Sequence, residues 1–275
     1  MLEISAFSLQ GKRKENQDAY YLGERLFAVA DGMGGLVHGK EAAETFIEVA
    51  KTGGSLLDII KEANTRIFEL VGGTACVLLE IEGQKASYTH IGDSRLYLFR
   101  NNILTRLTKD HSYIEYLIDK GEISRQESLL HPKRNLLTKA LGTDSEVVAE
   151  VQELDLEEGD LLLMVTDGVW GSVSEQDLVL KAQLGAKELC ELALANGSTD
   201  NITAVVLTVK GDNASGDAAS RLNEVGGLTS LSSYKSNLGS TANLNNIQAR
   251  DRQVINSHNL TNITMQRRKN FDFIK

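Results

Sequence analysis

The sequence has few cysteines, no long apolar run and no excess of basic residues. Only Cys76 and Cys190 occur, both in apolar surroundings, which predicts two buried thiols in a reduced, cytoplasmic protein rather than a disulfide scaffold. The longest apolar runs, such as residues 161–165, are too short to span a bilayer, and residues 1–14 lack the apolar core of a signal peptide. The net charge of −9 argues against nucleic acid or an anionic membrane as a partner.

The composition divides the chain at about residue 210. Residues 1–210 alternate apolar stretches with turns, and the hydrophobic content of 41% in the whole chain is enough for a full core. Residues 211–275 instead contain 10 Asn and 8 Ser without sustained periodicity, and their 8 basic and 5 acidic residues give a net charge of +3. We therefore expect one folded domain over 1–210 and a polar, disordered tail over 211–275.

The apolar pattern of the domain predicts many short strands and a few helices. The predicted strands are 2–9, 17–22, 25–31, 74–82, 85–91, 95–100, 103–107, 147–154, 161–167 and 202–210. The predicted helices are 39–50, 55–70, 112–120, 174–181 and 185–196, with a further helix and irregular chain in 124–138. Gly83-Gln84 and Asn101-Asn102 fit hairpin turns, and Ser174 is typical of a helix N-cap. So many strands joined by short turns indicate an α+β sandwich of antiparallel sheets with helices outside.

Five aspartates stand next to predicted strands. Asp31 and Asp167 each follow an apolar run and precede a glycine, whereas Asp18, Asp93 and Asp200 flank other strands. An ionised carboxylate in such surroundings is costly unless it is paired or bound to a metal. Five of them without a His or Cys cluster predict hard oxygen ligands, and therefore Mg²⁺ or Mn²⁺ rather than Zn²⁺.

The stretch ADGMGGLVHGKE (30–41) raises an alternative, because its glycines and Lys40 have the spacing of a nucleotide-binding loop. That loop requires Ser or Thr where Glu41 stands and needs a parallel sheet, so the sequence disfavours it. An aspartyl-phosphate phosphatase would need a second Asp at the position of Met33, and is also disfavoured.

Eight short strings occur in order between about residues 3 and 209. They are GKRKENQD (11–18), ADGMGG (30–35), GT (73–74), GDSR (92–95), LTKDHS (107–112), RNLLTKALG (134–142), TDG (166–168) and DNIT (200–203). Together these strings resemble the PPM family, the metal-dependent protein phosphatases of the 2C type, in its bacterial form. Each string alone is a weak signal, but all eight in order are highly specific.

The resemblance implies a four-layer α-β-β-α sandwich with a metal centre at one edge of its two antiparallel sheets. In this scheme Asp31 bridges two Mn²⁺ or Mg²⁺ ions. Asp167 and Asp200 complete the protein ligands of the first ion. Asp18 and the backbone carbonyl of Gly32 hold the second ion.

Three further assignments follow from the same resemblance. Asp93, together with Asp167, would bind a third and weaker metal ion. Arg13 would grip the substrate phosphate through a two-pronged hydrogen bond that lysine cannot copy. Residues 112–140 correspond to a mobile flap beside the active site.

The implied reaction is the hydrolysis of phosphoserine and phosphothreonine in phosphoproteins, by attack of a hydroxide that bridges the two metal ions. The resemblance also implies a monomer that opposes a bacterial Ser/Thr kinase. Met33 and Leu36 stand where relatives have histidines, which leaves the general acid open. A non-enzymatic interaction module stays open as a second hypothesis. A metal phosphodiesterase or nuclease is a third, which the negative charge disfavours.

Overall fold

A computed structural model of the protein describes residues 1–33, 38–128 and 130–211. These residues form ten strands: β1 (Leu2–Leu9), β2 (Asp18–Leu22), β3 (Leu26–Gly32), β4 (Thr74–Glu82), β5 (Lys85–Ile91), β6 (Arg95–Arg100), β7 (Ile103–Arg106), β8 (Gln152–Asp155), β9 (Leu161–Val165) and β10 (Ile202–Val209). They also form seven helices: α1 (Gly39–Thr52), α2 (Leu56–Glu69), α3 (Tyr113–Asp119), α4 (Arg125–Ser128), α5 (Asp167–Trp170), α6 (Glu175–Ala182) and α7 (Ala186–Ala195). The predicted tail lies, from residue 212 onward, outside the described residues.

The strands pair into two five-stranded sheets. Sheet 1 has the order β1-β10-β9-β6-β7, and sheet 2 has the order β2-β3-β4-β5-β8. Every strand pair in both sheets is antiparallel. The prediction of antiparallel sheets is therefore confirmed, and the parallel setting that a nucleotide-binding loop requires does not occur in the described residues.

Three apolar layers hold the sandwich together. The layer between the sheets takes alternate residues of the central strands, such as Phe27 and Val29 of β3, which are fully buried. The residues between them, Ala28 and Ala30, face the opposite way into a second layer against α1 and α2. A third layer packs α5, α6 and α7 on sheet 1. Because a strand buried on both faces needs apolar residues throughout, this arrangement explains the continuous apolar runs and confirms the four-layer sandwich.

Local signals in the sequence set several element ends as predicted. Ser174 caps α6 by accepting a hydrogen bond from the Asp177 backbone N–H at 3.2 Å. Asn101 and Asn102, between β6 and β7, have φ values of 52° and 64°. Asparagine tolerates this left-handed conformation better than most residues, which suits the tight turn. Gly83, between β4 and β5, has φ 61° and forms the other predicted turn.

Two predicted strands differ from the structure. In place of the strand predicted over 147–154, the structure has a strand only over Gln152–Asp155. Val147 and Ala149 pack against the layer under α1 and α2 instead of extending the pairing with β5. The strand predicted over 161–167 ends at Val165, and α5 begins at Asp167. The other predicted bounds agree with the structure to within two residues.

The structure also bears on membrane-spanning helices and on the two cysteines. No helix in the described part of the chain is long and apolar enough to cross a bilayer. Cys76 lies in β4 and Cys190 in α7, and both are free and buried, as the sequence predicts.

The layered core leads to a first prediction. Leu162→Ala removes a fully buried side chain from the layer between the sheets and should lower the free energy of unfolding by about 2–5 kcal/mol. Leu180→Ala, at a position of α6 that is 61% exposed, should change it by less than about 0.5 kcal/mol. Urea unfolding followed by far-UV circular dichroism measures both, and equal losses would contradict the placement of Leu162.

Candidate active site

The five aspartates come together at one edge of the sandwich. Asp18 and Asp31 stand opposite each other in the β2–β3 ladder of sheet 2. Asp167 begins α5 just after β9, and Asp200 precedes β10, so these two come from sheet 1. Asp93 lies between β5 of sheet 2 and β6 of sheet 1. The charges of the other four all act on Asp31, so the five carboxyl groups lie close together.

Asp18 joins the two sheets at this edge. Its Oδ2 accepts hydrogen bonds from Thr166 Oγ1 at 2.9 Å and from Thr203 Oγ1 at 2.7 Å, and both threonines belong to the β9–β10 side of sheet 1. Its Oδ1 is buried and has no hydrogen-bond partner in the part of the chain that the structure describes. A buried carboxylate oxygen in this state is costly unless a proton or a cation meets it.

Asn201 fixes the loop that leads into β2. Its Oδ1 accepts the Gln17 backbone N–H at 3.0 Å, and its Nδ2 donates to the carbonyls of Gln10 at 2.8 Å and Glu15 at 2.9 Å. This loop presents Arg13, whose Nη2 donates to Asp200 Oδ2 at 2.6 Å. The predicted phosphate-binding arginine is therefore at the site, with half of its side chain exposed.

Two glycines allow backbone segments to approach each other where no side chain would fit. A Cβ on Gly32 would lie 2.3 Å from the carbonyl oxygen of Gly39 and 2.7 Å from that of Gln17. A Cβ on Gly168 would lie 1.9 Å from the carbonyl oxygen of Asn201. The glycine that follows Asp31 and the one that follows Asp167 are thus required by close packing of the main chain around the carboxylates.

Burial raises the pKa values of four of these carboxyl groups, and their mutual repulsion adds to the effect. Burial is the largest cause for each, and the pKa is raised to about 7 for Asp18, about 8 for Asp93 and about 6 for Asp167. The pKa of Asp31 is raised well above its ordinary value, by burial first and by the charge of Asp167 next. A hydrogen bond from Asp31 limits the rise for Asp167.

The oxygen donors of this group fit a hard divalent cation, although in the described residues they do not already form a closed metal site. Among residues 1–33, 38–128 and 130–211, no three His, Cys, Asp or Glu side chains already form a group that could hold a metal ion. Like charges repel, so carboxylates with no cation between them have no reason to converge on one point. The unpartnered Oδ1 of Asp18 and the raised pKa values of Asp18 and Asp31 both indicate negative charge that no protein group compensates. Such charge favours the binding of a cation. Oxygen-only donors suit Mg²⁺ and Mn²⁺.

Comparison with known proteins identifies the family, although no family model matches the chain. A putative protein phosphatase 2C-type from Streptococcus pyogenes is 33% identical over 223 residues, which are 70% of this chain and 91% of that protein. The chain belongs to the PPM family of bacterial serine/threonine protein phosphatases.

Mycobacterial members of the family are also similar to this chain. The serine/threonine protein phosphatase PstP of Mycobacterium tuberculosis is 35% identical over 220 residues, or 72% of this chain. The chain spans only 43% of the length of that relative. The crystal structure of a PstP catalytic domain in complex with two manganese ions matches with a TM-score of 0.69 and 33% identity, over 76% of this chain and 99% of that one.

Several supporting residues lie inside the family strings but were given no role from the sequence. Thr166, Thr203 and Asn201 belong to TDG and DNIT, and each positions a candidate ligand or its loop through the hydrogen bonds described above. Their position beside the aspartates is the only sequence signal for these roles. Trp170 lies outside every string, and its Nε1 donates to the Asp93 carbonyl at 3.0 Å.

In the described part of the chain, the contacts of His38, His90 and His111 are with groups other than the five aspartates. His111 Nδ1 accepts the Gly92 backbone N–H at 3.1 Å, and its ring stacks on that of His90 with centroids 4.6 Å apart. Burial, followed by the charge of His90, lowers the pKa of His111 to about 3, so this ring is neutral and supports the turn before Asp93. His38 lies 3.8 Å from Glu41 and is 44% exposed, whereas Leu36 lies outside the described residues.

The raised pKa values lead to a second prediction, for protein kept in chelator. Because the folded state binds protons to Asp18, Asp93 and Asp167 more tightly than the unfolded state, with its aspartate pKa near 4, stability is greatest at low pH. It should then fall as the pH rises through about 6 to 8. We expect the Tm by differential scanning calorimetry to be lower at pH 8.5 than at pH 5.

A neutral residue in place of Asp31 should remove part of this loss of stability at high pH. Asp31→Asn should raise the Tm in chelator at pH 8.5 by at least about 3 °C, the effect of about 1 kcal/mol in a domain of this size. Asp144→Asn, at an exposed turn position, is the matched control and should leave the Tm unchanged. A Tm that does not depend on pH, or an Asp31→Asn protein no more stable than the parent, would refute the account of buried repulsion.

Proposed function

We propose that this chain is a metal-dependent protein phosphatase that hydrolyses phosphoserine and phosphothreonine in proteins. The observation that supports this most is the convergence of five aspartates from both sheets on one edge, with Arg13 bonded to one of them. The relatives of the chain are named serine/threonine phosphatases, and its fold matches that of a manganese-bound member.

The ligand scheme extends this proposal to single residues. Asp31 would bridge two Mn²⁺ or Mg²⁺ ions, a role supported by its place opposite Asp18 in the β2–β3 ladder and by the charge that Asp167 exerts on it. Asp167 and Asp200, from sheet 1, would complete the first site. Asp18 would complete the second site with its unpartnered Oδ1, together with the carbonyl of Gly32.

A third ion would be held more weakly, by Asp93 with Asp167. After burial, the charge of Asp167 is the largest cause of the raised pKa of Asp93, which supports a close approach of the two carboxyl groups. A cation bound there would favour the ionised form of both carboxyl groups.

The residues of the chain have distinct tasks in this reaction. Bound divalent cations supply charge neutralisation for a phosphate dianion and activation of a water molecule. Arg13 binds the phosphate, because its planar guanidinium offers two parallel N–H groups, and Asp200 holds it at the site until substrate arrives. Met33 has a thioether side chain and cannot protonate the leaving alkoxide.

The proposal includes the oligomeric state, the compartment and the partners of the protein. A monomer that acts in the cytoplasm on the targets of a bacterial Ser/Thr kinase, or on the kinase itself, fits a Ser/Thr phosphatase fold. Two free, buried cysteines are compatible with a reducing compartment. The domain from residue 1 to 210 would contain the whole catalytic machinery.

A third prediction tests the activity. The protein should release phosphate from a phosphothreonine peptide in the presence of Mn²⁺, and chelator should abolish this release. Asp31→Ala and Asp167→Ala should each lower kcat/KM at least about 100-fold, because removing a ligand costs more than the 10–100-fold loss typical of outer-shell changes. Asp144→Ala, an exposed aspartate, should behave as the parent. Phosphate release that persists in chelator would disprove the proposal.

A fourth prediction concerns Arg13. At saturating Mn²⁺, Arg13→Lys should raise KM for the phosphopeptide about tenfold, or about 1.4 kcal/mol, because lysine cannot form the two-pronged contact. Arg25→Lys is the matched control, since Arg25 is an exposed arginine that pairs with Glu82 away from the aspartates. An unchanged KM for Arg13→Lys would exclude Arg13 from phosphate binding.

A further inference from the structure

Trp170 ties together the two chain segments that carry Asp93 and Asp167. It is the last residue of α5, the short helix that Asp167 begins. Its indole Nε1 donates to the backbone carbonyl of Asp93 at 3.0 Å. One aromatic side chain therefore links the turn between β5 and β6 to the helix that follows β9.

Arg95 holds this indole in place. Its guanidinium carbon lies 3.5 Å from the centre of the Trp170 ring, a stacked cation–π contact. The same guanidinium is anchored to Asp110, with Nε to Oδ1 at 3.0 Å and Nη2 to Oδ2 at 2.7 Å, while Nη1 donates to Tyr97 Oη at 3.0 Å. The side chains of Arg95 and Asp110 are only 15% and 6% exposed. A planar group with three fixed hydrogen bonds has little freedom to move off the ring.

The contacts continue from Asp110 into the segment that resembles the flap. Arg106 Nη1 lies 3.5 Å from Asp110 Oδ2, and its Nη2 donates to Glu115 Oε1 at 3.1 Å. Glu115 is buried in the first turn of α3, and Arg125 of α4 also donates to it, at 3.3 Å. A chain of largely buried charged contacts thus connects α3 to the indole beneath Arg95, and the mostly exposed Arg125 extends it to α4.

We propose that Arg95 is a positioning residue that sets the spacing of Asp93 and Asp167 through Trp170, and so determines how tightly this pair binds a divalent cation. The inference rests on the proposed function, because it concerns the weaker of the metal sites proposed above. Arg95 itself is not a ligand, and Asp110, Arg106 and Glu115 transmit the position of α3 to it. A change in α3 would then alter the affinity of the Asp93–Asp167 pair for metal.

The test is a titration of the full chain with Mn²⁺, in which electron paramagnetic resonance counts free and bound ions without any substrate. Arg95→Lys keeps the charge but loses the planar stack and the paired bonds to Asp110. It should raise the Kd of the weakest class of Mn²⁺ sites about 5–10-fold and leave the tighter class within about twofold. Trp170→Phe, which keeps a ring but removes the Nε1 donor, should have the same effect.

Arg100→Lys is the matched control from the other end of β6. Arg100 also makes a paired contact to a buried aspartate, with Nε and Nη2 at 2.7 and 2.6 Å from the carboxylate of Asp160. Arg100→Lys should lower the free energy of unfolding about as much as Arg95→Lys does, but it should leave the Kd of both classes of Mn²⁺ sites unchanged. Glu115→Gln, at the far end of these contacts, is the substitute variant in case Arg95→Lys or Trp170→Phe folds poorly. It should raise the Kd of the weakest class of Mn²⁺ sites, but by less than Arg95→Lys.

The single tryptophan of the chain provides a second measurement. Emission of Trp170 should shift to longer wavelength in Arg95→Lys, because the ring loses its cover, and should not shift in Arg100→Lys. The inference is overturned if the weakest Kd of Arg95→Lys stays within twofold of the parent, or if the parent has no weaker class of Mn²⁺ sites. Failure of the proposed function would appear separately, as Mn²⁺ binding without release of phosphate from the phosphopeptide.

Discussion

Repulsion among buried carboxylates is the interaction on which this structure depends. Asp18, Asp31, Asp93 and Asp167 all have raised pKa values, because the surrounding protein removes water and each charge opposes the next. Such a group destabilises the fold unless protons or cations compensate it. The same uncompensated charge is what would bind divalent ions tightly, so the property that weakens the metal-free domain is the one its chemistry requires.

The rest of the molecule serves to hold these charges in place. Two sheets packed face to face form a rigid frame, and their strand registers place Asp18 against Asp31 and bring Thr203 within reach of Asp18. Asn201 holds the loop before β2 by hydrogen bonds to its backbone. Gly168, which has no side chain, allows α5 to pack closely against the start of β10. Three apolar layers offset the electrostatic cost, because each element contributes buried hydrophobic area away from the charged edge.

The sequence predicted most of the fold because its strands follow a pattern of apolar residues that local signals interrupt clearly. It was wrong over 147–151, where Val147 and Ala149 pack on the helical side of sheet 2, and an alternating pattern alone cannot tell which apolar surface a segment meets. It also extended β9 through Asp167, since a four-residue helix is too short to show a period. The aspartates that meet at one edge could be predicted, but the contacts of Trp170, Arg95 and Asp110 could not, because they join segments that are distant along the chain.

By itself, the sequence determined the fold class, the family and which aspartates meet at one edge of the sandwich, because each of these is encoded in short strings and local periodicity. Only the tertiary structure decided which of those aspartates face one another, which oxygen lacks a partner and which pKa values rise. It also decided that Arg13 rests on Asp200, 187 positions away along the chain. The physical reason is that burial and electrostatic coupling depend on distance in space, which no local pattern records.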